Sequence, residues 1–444
     1  MNTGIIAAIK NLAPLPLYLA VVIVAFASLF GKTRWGLFLW AFLFPLQNII
    51  EKLHQFPLGK DLNDITLIAI LLGWVFLSLS KQERFIQPSA LNKLLIFMAI
   101  YTYFSLWQGS SFLGLPAPID ISDVRVQAWK NYMIFPLLFF ITANNIKNEK
   151  QLKWLLIVMV LSMFLMNYYT VNQLRWRGSI ESRARFQGTF SYLGPNEVAA
   201  FYATYTFVLA GIFLFIKEKL MRIFLLGAIL PNIYCILFLF SRGAYLATLV
   251  GSSFLSFFKN KALFILFIIL AFSWQAILPS QVIERINQTK TESGELDPSA
   301  QKRLIMWNQS VELFKQNPIT GAGFYTIPYF GFELGDTHNI FVKVAAEQGI
   351  IGLGILLLIF FFSLRSGWRL YKKAKSNLLR GLGLGFCACV VAVMVGNFFG
   401  DRWTHTPLGA YYWIFLGLVE SGNIITRQQL QQNQNAKNKT KNSH

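Results

Sequence analysis

The feature that most limits what this chain can become is a succession of apolar blocks, each roughly 15–25 residues long. A block of that length crosses the hydrocarbon core of a bilayer as a helix. Helices and closed barrels are the structures that satisfy their own backbone groups in lipid. Thirteen candidate spans can be marked, at 15–30, 35–50, 65–79, 91–107, 132–142, 152–170, 197–216, 223–240, 244–258, 262–278, 340–362, 379–399 and 408–419. Two of them, 132–142 and 408–419, are short for a full crossing, so about twelve are expected to span. The expected fold is all-α: a polytopic transmembrane helical bundle with one large, partly helical outside loop.

Charge then sets the orientation. Only 14% of the 444 residues are charged, well below a soluble domain, and the net charge is +20. On a soluble protein that excess would point to nucleic acid; here it reads as topology, and no nucleic-acid partner is expected. Lys and Arg are densest in short loops around Lys32, Lys81, Lys150, Lys217, Lys259 and Lys373, and in the polar tail, which together hold 23 of the 40. These loops are therefore placed in the cytoplasm. The block 15–30 has no small-residue cleavage site after it and is expected to be a retained anchor. Cys235, Cys387 and Cys389 lie in apolar runs with no metal spacing, and no disulfide is expected.

This topology divides the chain into N-terminal spans (1–170), central spans with an Arg-rich outside loop (171–278), a large outside loop (279–338), C-terminal spans (339–420) and a tail (421–444) expected to be disordered. Within the large loop, Asp297-Pro298-Ser299 is a helix start, and Leu304, Trp307, Val311 and Phe314 recur at helical spacing. Asn317-Pro318 ends that helix, and Gly321-Ala322-Gly323 makes a turn.

Orientation does not require arginines on the outside, yet nine fall there: Arg125, Arg175, Arg177, Arg183, Arg185, Arg242, Arg285, Arg303 and Arg402. The planar guanidinium suits phosphate oxygens, although a solvated basic loop would look the same. Arg242 stands out because Phe240-Ser241-Arg242-Gly243-Ala244 interrupts two apolar runs, and a charge at such depth faces a cavity or a partner unless it snorkels to the interface. His338 ends the large loop where a span begins; its ring titrates near neutrality, so it can take a proton from a hydroxyl, or simply cap the helix. Lys343 and Glu347, four residues apart on one helix, are expected to pair with each other. No nucleotide-binding loop and no metal spacing are present in the sequence, so no cofactor is expected.

Three stretches together resemble the O-antigen ligase and O-antigen polymerase superfamily of bacterial envelope glycosyltransferases. They are Arg185-Phe186-Gln187-Gly188-Thr189-Phe190 with Pro195-Asn196-Glu197; Ser241-Arg242-Gly243-Ala244; and a run from Arg303 and Trp307 through Pro318, Gly321 and Gly323 to His338-Asn339 and Glu347-Gln348-Gly349-Ile350-Ile351-Gly352. The resemblance covers roughly residues 185–354, and the first 170 residues share only their apolar spans. It implies a metal-independent, inverting transferase of the GT-C-like kind in the bacterial inner membrane, facing the periplasm, with a glycan on undecaprenyl pyrophosphate as donor. Carried over by motif, His338 would be the general base, and Arg185, Arg242 and Arg303 would hold the pyrophosphate. Asn339, Glu347 and Arg183 would be supporting positions. The acceptor would be lipid A–core for a ligase, a second lipid-linked repeat for a polymerase, or a secreted protein for a protein O-oligosaccharyl ligase. The shared motifs do not separate these, and the ligase is favoured.

Two other classes compete. A transporter of lipid-linked sugars predicts charges lining many spans and an inverted repeat, neither of which is seen. An assembly protein leaves Arg185, Arg242 and His338 without a reason for their placement.

Overall fold

The computed structural model describes residues 13–82, 84–177, 186, 193–288, 298–330 and 336–441, and the described residues are helical with no strand. In chain order the helices are α1 (Leu15–Leu29), α2 (Thr33–Leu43), α3 (Gln47–Glu51), α4 (Leu62–Ser80), α5 (Leu91–Phe112), α6 (Val124–Asn145), α7 (Glu149–Arg177), α8 (Pro195–Phe215) and α9 (Lys219–Phe238). They continue as α10 (Arg242–Lys259), α11 (Lys261–Phe272), α12 (Trp274–Ile277), α13 (Ser280–Asn287), α14 (Pro298–Gln316), α15 (Ile340–Lys373), α16 (Asn377–Asn397) and α17 (Thr406–Lys441). Six of these, α4, α7, α8, α9, α15 and α16, are long and apolar enough to cross a membrane. Two others, α1 and α11, are apolar but shorter. The chain is thus a multi-pass, all-helical membrane protein.

The centre of the bundle is α8 and α16, the two most enclosed spans. Their close approach is written in glycine. A Cβ on Gly211 would meet the backbone of Gly381 and Gly385, while one on Gly383, on the other side of α16, would lie 2.6 Å from the Tyr371 amide nitrogen of α15. Lipid tails are as apolar as Leu, so van der Waals contact between close backbones replaces the hydrophobic effect as the force between spans. Gly381, Gly383 and Gly385 let α16 be squeezed from both sides. The first part of α17 completes the core, with Tyr411, Tyr412 and Trp413 buried.

At one end of the bundle the Lys-rich loops meet. Lys153 pairs with Glu218 at 2.6 Å, Ser376 hydrogen-bonds Glu149, and Lys259 Nζ donates to the Leu214 carbonyl. Arg427 donates to the Pro88 carbonyl at the same end. Here too is a closed polar lock between α15 and α17. Arg369 binds Glu420 at 3.0 Å, Ser366 donates to the same carboxylate, and Asn423 bridges Arg369 and Ser366.

Three sequence expectations are revised. The apolar block at 35–50 is two pieces, α2 and α3, because Pro45 supplies no amide hydrogen and the chain turns at Phe44–Leu46. The block at 132–142 is the middle of a 22-residue helix, α6, whose polar first turns hid its length. The tail expected to be disordered instead continues α17 to Lys441. No Gly or Pro follows Gly422, and extending a helix already anchored by packing needs no new nucleus.

Candidate active site

The opposite end gathers the site. Its most informative element is a helix that breaks. Gly349 stands at φ +63° inside α15, a conformation favouring Gly, so the element is two helices meeting at an angle. A break leaves carbonyls and amides without helical partners, which a membrane tolerates only where protein re-satisfies them. The segment 318–324 does this. Ala322 and Gly323 donate to the carbonyls of Ala346 and Glu347 at 2.9 and 2.7 Å, and the Ile350 amide donates to Pro318 at 2.9 Å. Tyr101 Oη donates to the Gln348 carbonyl, and Gln108 Nε2 to the Gly321 carbonyl. The glycines permit this contact, since a Cβ on Gly321 would strike Glu347 and one on Gly349 would strike Ile319. The motif glycines at 321, 323 and 349 are one device seen from two strands of chain.

Glu347 belongs to the same device. Its Oε1 accepts the Ile327 amide at 3.1 Å, pinning the chain that follows Gly323. Lys343 makes its ion pairs elsewhere, with Asp401 at 2.6 Å and Asp336 at 3.7 Å. The expected Lys343–Glu347 pair is therefore corrected. Asp401 arrives from the turn between α16 and α17, which sequence spacing along one helix could not reveal.

His338 sits just before α15, at φ +51°. A non-Gly residue in the left-handed region is strained, and its neighbours must hold it there. They do. Asn339 Oδ1 accepts the amides of Phe341 and Val342 as the N-cap of α15. Thr337 Oγ1 donates to the Asn339 carbonyl at 2.9 Å, and Trp307 Nε1 donates to the Thr337 carbonyl at 2.9 Å. The helix α14, anticipated from the sequence, thus carries the clasp through Trp307. Asn339, without a physical role in the sequence, is the cap that starts α15.

The imidazole is about one-third exposed, with Nδ1 3.9 Å from Asp336 Oδ2, too long for a hydrogen bond. Burial holds its pKa below the ordinary 6.5; the cations Arg303 and Arg402 act in the same direction, while Asp336 and Glu197 oppose them. The ring is therefore neutral near pH 7, the form that accepts a proton. Burial also raises the Asp336 carboxyl above its ordinary range.

Arg402 is the residue sequence reasoning left unassigned. It is buried at 4% exposure, between α16 and α17. Nη1 donates to the Gly396 carbonyl at 2.5 Å, and its amide to Asn397 Oδ1. Its Nε finds no hydrogen-bond partner among the described residues. Burial pulls its pKa down to about 10, with Glu197 holding it up and Arg303 pressing it further down. A signal did exist, in an Asp-Arg pair placed in the connection between two apolar blocks.

Arg242 opens α10 beside Arg402: a Cβ on Gly243 would lie 3.7 Å from Arg402 Nη1. The turn before it is fixed by Phe240 at φ +52°, whose carbonyl accepts Arg285 Nε, and Arg242 Nη1 donates to the Gln288 carbonyl. Arg303 on α14 is within electrostatic reach of both His338 and Arg402. So His338, Arg303 and Arg402 lie within electrostatic reach of one another and of Glu197, and the Arg242 turn packs beside Arg402. Arg183 and Arg185 lie outside the described residues. Arg125 and Arg285 serve structure: Arg125 is buried on Asp123 at 2.5 Å and on Ser110, and Arg285 braces the turn before Arg242.

Compared with known families, residues 227–357 match the O-antigen ligase family. The matched stretch holds Arg242, Arg303, His338 and Asn339, with the broken helix at Gly349. It ends before Asp401 and Arg402. No curated protein matches the chain.

Proposed function

We propose, from the O-antigen ligase domain that this chain carries, that it is a membrane glycosyltransferase moving a glycan from undecaprenyl pyrophosphate to an acceptor hydroxyl, at the periplasmic face of the bacterial inner membrane. The observation that carries the reading is the clasped His338, one-third exposed and within electrostatic reach of Arg303 and Arg402. A neutral imidazole within electrostatic reach of two guanidiniums suits an anionic leaving group and a hydroxyl nucleophile.

In the proposed step the acceptor hydroxyl oxygen attacks C1 of the donor sugar. The C1–O bond to the pyrophosphate breaks with inversion at C1. The hydroxyl proton passes to the imidazole of His338, and undecaprenyl pyrophosphate departs with the bonding electron pair. Negative charge builds on the bridging oxygen as that bond breaks, so fixed cations act most strongly there. Arg303 and Arg402, within electrostatic reach of His338, are proposed to supply them, and Arg242 and Arg185 are assigned to the same pyrophosphate by motif. The step draws its positive charge from guanidiniums and is expected to proceed with a chelator present. Lipid A–core is the favoured acceptor.

The test uses purified protein in detergent with a lipid-linked glycan donor, chelator present and no nucleotide. Release of undecaprenyl pyrophosphate is followed with and without lipid A–core. Core-dependent release that disappears in His338→Ala supports the ligase. Chain growth with donor alone makes it a polymerase, and undiminished release in His338→Ala removes the proposed base.

A further inference from the structure

Beside the cationic site lies a second space, a cavity of about 270 Å³ between α6, the start of α15, the segment at Phe324–Tyr325 and the turn at Thr404–Thr406. That volume corresponds to roughly nine waters, the size class of one small ring rather than of a lipid chain. Its walls are aromatic: Tyr132 and Phe324 lie with ring centroids 5.7 Å apart, and Tyr325 joins them. Tyr325 is held at φ +64°, another strained residue whose position the surrounding structure dictates. Asn131, Thr404 and Thr406 are exposed and form a polar mouth. Lys343 and Glu347 form the floor.

The floor is polar without being an anion trap. Lys343 is neutralised by Asp401 and Asp336, and Glu347 is occupied by the Ile327 amide. A phosphate gains little here, while a lipid tail would strand the polar floor and mouth. A ring with apolar faces and a hydroxylated edge fits both the walls and the mouth. Asp336 ties the cavity to the catalytic side, since one carboxylate oxygen faces Lys343 and the other faces His338. Asp401 and Arg402 serve the two sides in the same way: Asp401 pairs with Lys343 at the cavity floor, and Arg402 lies within electrostatic reach of Arg303 and packs against Gly243 beside Arg242.

We propose that this cavity binds an uncharged sugar ring and seats it beside His338, so that the site has a cationic lobe for pyrophosphate and an aromatic lobe for sugar. Two sources supply such a ring, the acceptor glycan and the donor's first sugar. The division of the site rests on the transferase reading, but the binding of sugar by the cavity is measurable without it.

The experiment uses the full chain in nanodiscs and saturation-transfer NMR with uncharged methyl hexosides and N-acetylhexosamines. Saturation should reach ring protons of at least one of these probes. It should vanish in Ala128→Trp, which fills the cavity, and in Thr406→Phe, which narrows the mouth. It should persist in Arg303→Ala, which changes the cationic lobe. Elution profile and Tm establish that each variant is folded. No saturation in the wild-type protein, or unchanged saturation in both filled variants, overturns the proposal. The kinetic arm separates the sources. A rise of about tenfold or more in acceptor KM with donor KM unchanged in Thr406→Phe assigns the ring to the acceptor, and the converse assigns it to the donor. Sugar binding without any transfer by the wild-type protein leaves the cavity standing and removes the transferase reading.

Discussion

The two ends of this bundle both place an arginine near a buried or half-buried carboxylate, half-exposed Arg369 at one and buried Arg402 at the other, and they treat it differently. At the Lys-rich end, Arg369 binds Glu420, and Ser366 and Asn423 take up the remaining valences. At the other end Arg402 leaves Nε without a partner among the described residues, has its pKa pulled down by burial, and stands near another cation, Arg303. Within its electrostatic reach, His338 is strained and partly open. A closed cluster fastens two helices together. An open one, in which cations lie within electrostatic reach of each other and a backbone is held off its minimum, is the arrangement that the proposed pyrophosphate would relieve. Satisfied and unsatisfied charge thus distinguish a fastening from a site within one molecule.

The largest expected effect breaks the open end. His338→Ala should lower turnover by about 10²–10⁴-fold, the usual range for a general base, with Tm unchanged within about a degree. Transfer is read by undecaprenyl pyrophosphate release, and loss of Tm in parallel with activity would make His338 structural. Next, Arg402→Ala and Arg303→Ala should each cost about 10²–10³-fold in kcat, as removal of one donor to developing charge does elsewhere. A change confined to KM in both would mean ground-state binding only.

The closed end should respond in the other currency. Glu420→Ala leaves Arg369 and Ser366 without their acceptor and should destabilise the protein by about 1–3 kcal/mol. Activity per folded molecule should stay at the wild-type level, measured as turnover normalised to the folded fraction. Activity falling further than folding would break the comparison.

The smallest effect is the sharpest. Burial places the His338 pKa below 6.5, so kcat/KM should fall on the acid side with an apparent pKa below that value. The base form is present above this pKa and lost as pH drops through it. Arg303 and Arg402 depress the pKa, so Arg303→Ala should move the acid limb to higher pH. Asp336 supports the charged imidazole, so Asp336→Asn should move the limb to lower pH. Shifts of the same sign in both variants would show that these side chains do not reach His338 electrostatically.

Much of the membrane architecture was legible because apolar length is a local property. Blocks near α7, α8, α15 and α16 are visible in any sequence window, and so was the amphipathic helix α14. The errors share one cause. Pro45 cut an apolar block in two, polar turns concealed the length of α6, and the tail followed its anchored neighbour α17 rather than its own composition. At the site, His338 and Arg303 were named from sequence, and the fold brings Arg303 within electrostatic reach of His338. Arg402 was counted among the outside arginines but given no role, because nothing in its immediate neighbours shows that α16 and α17 bury it within electrostatic reach of His338.

The sequence alone determined that this chain crosses a membrane repeatedly, which loops carry its positive charge, and which histidine and arginines stand where apolar runs break. Those are consequences of composition within a few residues, and a bilayer enforces them at once. The tertiary structure decided the partners: Lys343 with Asp401 instead of Glu347, the segment 318–324 laid across the break at Gly349, and Arg402 buried within electrostatic reach of Arg303 and His338. Partnership between residues so far apart in the chain depends on which helices pack, and that is set by the close glycine contacts of α8, α15 and α16 acting together rather than by any one stretch of chain.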